Sequence, residues 1–126
     1  MSETPLPDRR RTVRQKLRIG GTKVYCDLGM YDDGTPGEVF IVVERTGAER
    51  RFLYDETARL ASKLLQHGCS LEHVAEGWLG TRGQPAGPVQ GHPRIKHATS
   101  VLDLIARYLL VDYCGREDLA HVKEST

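Results

Sequence analysis

The sequence predicts an α+β fold: a three-stranded antiparallel β-meander followed by three α-helices packed on one face of the sheet. Three observations lead there. Apolar and polar residues alternate with period two in the first third of the chain, apolar residues recur at helical spacing afterwards, and glycine-bearing turns divide the segments. The 126 residues suit a single domain with its own core. We expect a disordered basic leader over 1–11, one α+β domain over 12–115 and a polar tail with at most a short turn over 116–126.

The first strand starts at Val13, with Val13, Gln15, Leu17 and Ile19 on one face and Arg14, Lys16 and Arg18 on the other. Gly20-Gly21 breaks it. A second strand carries Val24, Cys26, Leu28 and Met30 on a common side, and Asp32 to Gly37 is turn chemistry. Glu38 to Glu44 reads as a third strand. Its two faces, Val39-Ile41-Val43 and Phe40-Val42, are both apolar, which places it centrally or under a helix. After Gly47, Leu53, Thr57, Leu60, Ala61, Leu64 and Leu65 form the packing stripe of a helix that Gly68 stops. Ser70 caps a short helix carrying Leu71, Val74, Ala75 and Trp78, which Gly80 ends. Glycines 80, 83, 87 and 91 and prolines 85, 88 and 93 leave no regular element between Gly80 and Pro93. The last helix takes in Ile95, Ala98, Leu102, Ile105, Ala106, Leu109, Leu110 and Tyr113 and is capped by Gly115.

Composition excludes several classes. The net charge of +1 does not mark the whole chain as a nucleic-acid binder, and no apolar run approaches the length that spans a bilayer. The polar residues Met1 to Pro7 do not form a signal peptide. Cys26, Cys69 and Cys114 are odd in number and far apart, which argues against a disulfide framework and for the cytoplasm. They show no C-x-x-C spacing, and His67, His73, His92, His97 and His121 are scattered, so no metal site is expected. Cys26 and Cys114 read as core residues. No catalytic set assembles, because Asp32 and Asp33 sit in a turn where Asp belongs anyway.

The stretch Gly87 to Asp103 is the best candidate site. A loop opening into a helix delivers Gln90, His92, Arg94 and Lys96 towards unpaired N–H groups at the positive end of the helix dipole, where an anion binds well. Arg82 and Gln84 precede them, and glycines 83, 87 and 91 let a ligand approach the backbone. Gly20-Gly21-Thr22-Lys23 is favoured as a tight turn; if it meets the loop in space, Lys23 joins the same pocket. Arg9, Arg10, Arg11, Arg14, Lys16 and Arg18 form a basic patch that reads first as a solvated arm and second as a nucleic-acid surface.

Several motifs occur in a familiar order: Arg18-Ile19-Gly20-Gly21-Thr22-Lys23-Val24-Tyr25, Gly29 to Phe40, Leu65-Gln66-His67-Gly68, Pro85-Ala86-Gly87-Pro88-Val89-Gln90-Gly91 and Gly115-Arg116-Glu117-Asp118-Leu119-Ala120-His121-Val122. Together they resemble the C-terminal, TSCPD-type region of adenosylcobalamin-dependent (class II) ribonucleotide reductases, over about Arg9 to Val122. The resemblance implies metal or nucleotide binding. It does not bring the radical-forming cysteine, the reducing cysteine pair or the cobalamin site of the large catalytic barrel, for which the chain is too short. Leu79 to Pro85 lacks the aromatics of the family's Phe-Thr-Arg-Phe-Glu-Pro stretch, giving a more open and more basic loop, and the Thr-Ser-Cys-Pro-Asp motif is absent.

The expected function is therefore a non-catalytic module, without cofactor, that holds a nucleotide or another phosphate-bearing small molecule through Arg82, Gln84, Gln90, His92, Arg94, Lys96 and Lys23. One alternative is an accessory subunit acting in trans with a ribonucleotide reductase; another is a nucleic-acid binder using the basic first strand. Self-association into a homo-oligomer is expected under each, because a three-stranded sheet leaves open edges.

Overall fold

Strands form at Thr12–Ile19 (β1), Thr22–Met30 (β2), Pro36–Val43 (β3), Gly87–Gln90 (β4) and His97–Ala98 (β5). Helices span Ala48–Gln66 (α1), Leu71–Glu76 (α2) and Val101–Tyr113 (α3), and a single 3-10 turn covers Glu117–Leu119. This computed structural model describes residues 3–123; the parts of the expected leader and tail at 1–2 and 124–126 lie outside the described residues. The α+β class holds. The strand count is corrected from three to five, hydrogen-bonded in the order β3-β2-β1-β4-β5. The chain divides into two compact units, one built from residues up to Lys16 with Val24–Ser70, the other from Leu17–Lys23 with Leu71 onward.

In the first unit β2 and β3 pair antiparallel, with Val24 opposite Val43, Cys26 opposite Ile41 and Leu28 opposite Val39. These six side chains are buried, as the alternation requires. Burial pushes the Cys26 thiol up to about 12, with the Asp27 charge adding to the effect, so this sulfur is an inert core group. β3 lies at the edge of the sheet rather than centrally, and its second apolar face stays open: Phe40 and Val42 are 48% and 46% exposed. Helix α1 covers the outer backbone of this strand instead. The Ser62 hydroxyl accepts the Val39 N–H at 2.9 Å and donates to the Val39 carbonyl at 3.2 Å, while Gln66 Nε2 donates to the Gly37 carbonyl at 3.1 Å. An edge so blocked cannot easily pair with another strand.

The stripe of α1 also needs correction. Ala58, Ala61 and Leu65 are its buried residues, whereas Leu53, Leu60 and Leu64 remain about half exposed. The apolar arc of the helix is wider than the surface this chain offers it. Before β1 the backbone has no regular element but is tied down. The Thr4 N–H donates to the Gln66 carbonyl at 2.8 Å, the Tyr31 hydroxyl donates to the Thr4 carbonyl at 2.6 Å, and Arg10 grips both oxygens of Glu38.

In the second unit β1 pairs with β4 (Arg18 opposite Gln90, Ile19 opposite Val89), and β4 with β5 (Gly87 opposite Ala98, Pro88 opposite His97). The expectation of no regular element between Gly80 and Pro93 is thus overturned by β4. Its ladder tolerates Pro88 because the bonds come from elsewhere: Gly20 N–H donates to the Pro88 carbonyl at 2.9 Å, and Val89 N–H to the Lys96 carbonyl at 2.8 Å. The last helix starts at Val101, not near Ile95. Ile95 and Ala98 are buried, which mimics helical spacing, but they stand on the approach and on β5. Helix α3 is buried nearly all round, and Gly115 ends it with φ +66°.

The Gly20-Gly21 turn does meet the loop. Gly20 has φ +54°, and a Cβ there would lie 2.6 Å from the Ala86 carbonyl oxygen. Gly20→Ala should therefore cost about 2 kcal/mol, from left-handed backbone plus collision, and lower the melting temperature. An alanine variant with unchanged melting would show that the turn and loop are not in contact.

Candidate functional site

Asp103 organises the loop–helix junction. It is fully buried in the first turn of α3, and its Oδ1 accepts the Gly80 N–H at 2.8 Å while Oδ2 accepts the Thr99 N–H at 3.0 Å and Arg107 Nε at 3.2 Å. Burial alone would raise its pKa, but the two backbone donors and Arg107 outweigh it and hold the carboxyl below the usual carboxylate range. Ser100 is the N-cap and accepts the Asp103 N–H at 2.9 Å. Thr81 extends the network through its hydroxyl to Ser100 Oγ and its carbonyl to the Thr99 hydroxyl, each 2.8 Å. Ser100-Val-Leu-Asp103 has the spacing of a capping box, the signal that would have located this helix start. The acid at the N-terminus of α3 is thus the chain's own, while His92 bonds to Asp112 and Arg94 to Glu117 and Val122, at and beyond the other end of that helix.

Two of the expected ligand residues are committed to internal bonds. His92 is buried, and its Nδ1 accepts the N–H groups of Arg94 and Ile95 at 3.0 and 3.2 Å. Nε2 must then carry the proton and donates to Asp112 at 2.9 Å. Arg94 pairs with Glu117 and donates through Nε to the Val122 carbonyl at 3.1 Å. Its own carbonyl accepts the N–H groups of His121 and Val122 at 2.9 and 3.1 Å, so it fastens the segment after α3.

Lys96, Gln90, Gln84 and Arg82 are exposed. In this unit each described carboxylate has a basic partner: Glu72, Glu76 and Asp118 with Arg116, Asp103 with Arg107, Asp112 with His92, Glu117 with Arg94. Among the described residues, Arg18, Lys23, Arg82 and Lys96 have no acidic partner there.

The register brings four exposed residues to one face. Side chains of directly opposed residues point the same way, so the pairs Arg18–Gln90 and Pro88–His97 share a side of the ladder, and all four are exposed. His121 stacks on His97 with ring centroids 3.8 Å apart, and its Nδ1 accepts the Lys96 N–H at 3.0 Å. The sequence reading missed Arg18, His97 and His121 as site residues, because strands β4 and β5 were not foreseen.

The basic patch of β1 is partly neutralised in the first unit. Arg14 makes two 2.8 Å bonds to Asp27 and lies over the Tyr25 ring at 4.8 Å. Among the described residues no three His, Cys, Asp or Glu side chains converge on a metal position. Cys26, Cys69 and Cys114 are free thiols. Among the described residues no helix is long and apolar enough to cross a membrane.

With this geometry in view, the chain belongs to the TSCPD domain family, whose model matches residues 2–113. It is similar in particular to vitamin B12-dependent ribonucleotide reductases. Identity is 47% to that of Bradyrhizobium diazoefficiens, over 93% of this chain and 9% of the relative. It is 46% to that of Agrobacterium fabrum (95% and 9%) and 34% to that of Rhodopirellula baltica (90% and 11%). The resemblance carried by the ordered motifs is borne out. The chain spans about a tenth of the length of these relatives, a fraction too small to hold their whole catalytic region. No solved structure matches it.

Two acid-sensitive groups give separable expectations. Burial, and then the neighbouring His97, lower the His121 pKa from its usual 6.5, so the fold favours the neutral ring. The unfolded chain takes up that proton first, and stability should fall as the pH drops below about 6.5. His121→Asn, which keeps an acceptor for Lys96 N–H, should flatten the melting temperature between about pH 7 and pH 5; an unaltered slope would put its source elsewhere. Asp103 acts lower. Its depressed pKa contributes stability that is present above the unfolded value of 3.8 and is lost as the pH falls through the folded value. Asp103→Asn should cost about 3 kcal/mol in urea unfolding at neutral pH, since a buried charged network loses its centre.

Proposed function

We propose that the chain is a non-catalytic module that binds a nucleotide, or another phosphate-bearing small molecule, on the exposed side of β1, β4 and β5. One observation carries this reading: a unit in which each described carboxylate already has an arginine or a histidine beside it keeps Arg18, Lys23, Arg82 and Lys96 without an acid. Cations left uncompensated beside a strand face attract a multivalent anion, and an arginine can take a phosphate with two parallel bonds. Gln90 adds an amide that can meet a base or ribose. The His97–His121 pair, its rings tilted by 38° to each other, adds aromatic surface against which a base can pack. His92 and Arg94 hold that surface in place from within, and Gln84 stands with Arg82 at its loop end.

Its kinship with vitamin B12-dependent ribonucleotide reductases supports a second reading, an accessory subunit that acts in trans with a reductase in deoxyribonucleotide synthesis. Three free thiols fit a reducing compartment such as the cytoplasm.

Thermal-shift titration at low salt tests this, with nucleoside mono-, di- and triphosphates against inorganic phosphate. A nucleotide at about a hundred times its dissociation constant adds roughly 2.7 kcal/mol of stability. The shift should vanish in Arg18→Glu and in Lys96→Glu, and shrink in His97→Ala. No shift with any nucleotide, at a salt concentration that leaves surface charge unscreened, would overturn the reading.

A further inference from the structure

Helix α1 carries an apolar seam that nothing among the described residues covers. Leu53, Leu60 and Leu64 are 56%, 56% and 49% exposed, and with Thr57 they follow a 4-3-4 spacing. That spacing aligns four residues along one line of a helix, the pattern of a coiled-coil seam. Thr57 does not interrupt it chemically, because its hydroxyl is satisfied within the helix, donating to the Leu53 carbonyl at 2.7 Å. The seam lies apart from the face that α1 turns to its own unit, where Ala58, Ala61 and Leu65 are buried and Ser62 holds the edge of β3.

We infer that this seam pairs with the same seam of a second copy of the chain, the two α1 helices running antiparallel about a two-fold axis. Charge selects that occupant. A two-fold centred between Thr57 and Leu60 sets Leu53 against Leu64 of the second copy and Thr57 against Leu60. The same operation brings Glu56 of one copy alongside Lys63 of the other, and the axis repeats the pair. Lys63 has no acidic partner of its own among the described residues. Glu56 receives both Arg59 bonds on Oε2, which leaves Oε1 for a second cation. Antiparallel helix dipoles favour the same arrangement. Pairing through β3 is the competing route to a dimer, and Ser62 and Gln66 already occupy the outer backbone groups of Val39 and Gly37.

The seam is short, below the area of a standard interface, so a reversible dimer with a dissociation constant of order 100 µM is expected. Sedimentation equilibrium of the full chain from about 10 µM to about 1 mM tests it. The average mass should climb towards that of a dimer, and Leu60→Glu should stay monomeric with its far-UV circular dichroism intact. Glu56→Lys and Lys63→Glu should each weaken self-association roughly tenfold, by setting like charges together. Mixing these two variants should restore it, because each then meets the opposite charge twice. A wild type that remains monomeric at the top concentration would overturn the inference, as would a mixture that associates no better than either variant alone. A dimer that persists in Leu60→Glu would also overturn it.

Discussion

The loop, the start of α3 and the segments that lean on them depend on one buried carboxylate. Asp103 has no solvent, yet it is charged, because four partners converge on its side chain and backbone: Gly80 and Thr99 through their N–H groups, Arg107 through Nε, and Ser100 through the capping hydroxyl. A buried anion is tolerable only when its lone pairs are met, and here they are met by groups from three separate stretches of chain. This fixes where the helix begins. It also fixes the exit of the loop, since Gly83 N–H donates to the Thr99 carbonyl at 3.0 Å. The β4–β5 ladder follows from that exit, and the exposed side of the ladder is the surface to which binding is assigned above.

A second layer of bonds repeats the logic further along. His92, with its tautomer set by two backbone donors, joins Asp112 of α3 to the turn before Arg94. Arg94 and Arg116 then clamp the segment after α3, Arg116 meeting Glu76 and Asp118 at 2.8 and 3.0 Å. The closing motif Gly115 to Val122 thereby acquires a physical reading. Each of its polar residues either holds a partner in the same unit or, as with His121, presents a lone pair to Lys96 N–H. These are structural duties.

Much of the fold was legible in the sequence. Period-two alternation located β1, β2 and β3, and Gly68 and Gly115 ended α1 and α3 as glycines with positive φ do. What escaped was short and irregular. β4 is four residues long and contains Gly87 and Pro88, so no periodicity can develop in it. β5 has two residues, and its buried Ala98 falls on the same spacing as the helix that follows. The stripe of α1 misled for another reason: period reveals which residues are apolar together, not whether the chain supplies a surface to cover them. Leu53 and Leu65 look alike in the sequence and differ entirely in their surroundings.

The candidate site was legible only as a neighbourhood. Residue type marks Arg94 and Lys96 as equivalent phosphate ligands, and their spacing marks them as neighbours. What separates them is an accounting of acids, which requires the fold. Arg94 has Glu117 and the Val122 carbonyl around its side chain, so drawing it to a ligand would leave an acid and a chain segment without a partner. Lys96 gives only its backbone to the structure and keeps its charge for solvent or ligand. Arg18 was read as part of a solvated basic arm because it alternates with Arg14 and Lys16. The register sets it opposite Gln90, and it has no acidic partner among the described residues, whereas Arg14 has Asp27. Among the described residues Arg18, Lys23, Arg82 and Lys96 have no carboxylate partner, and the proposed binding rests on that condition more than on the identity of any motif.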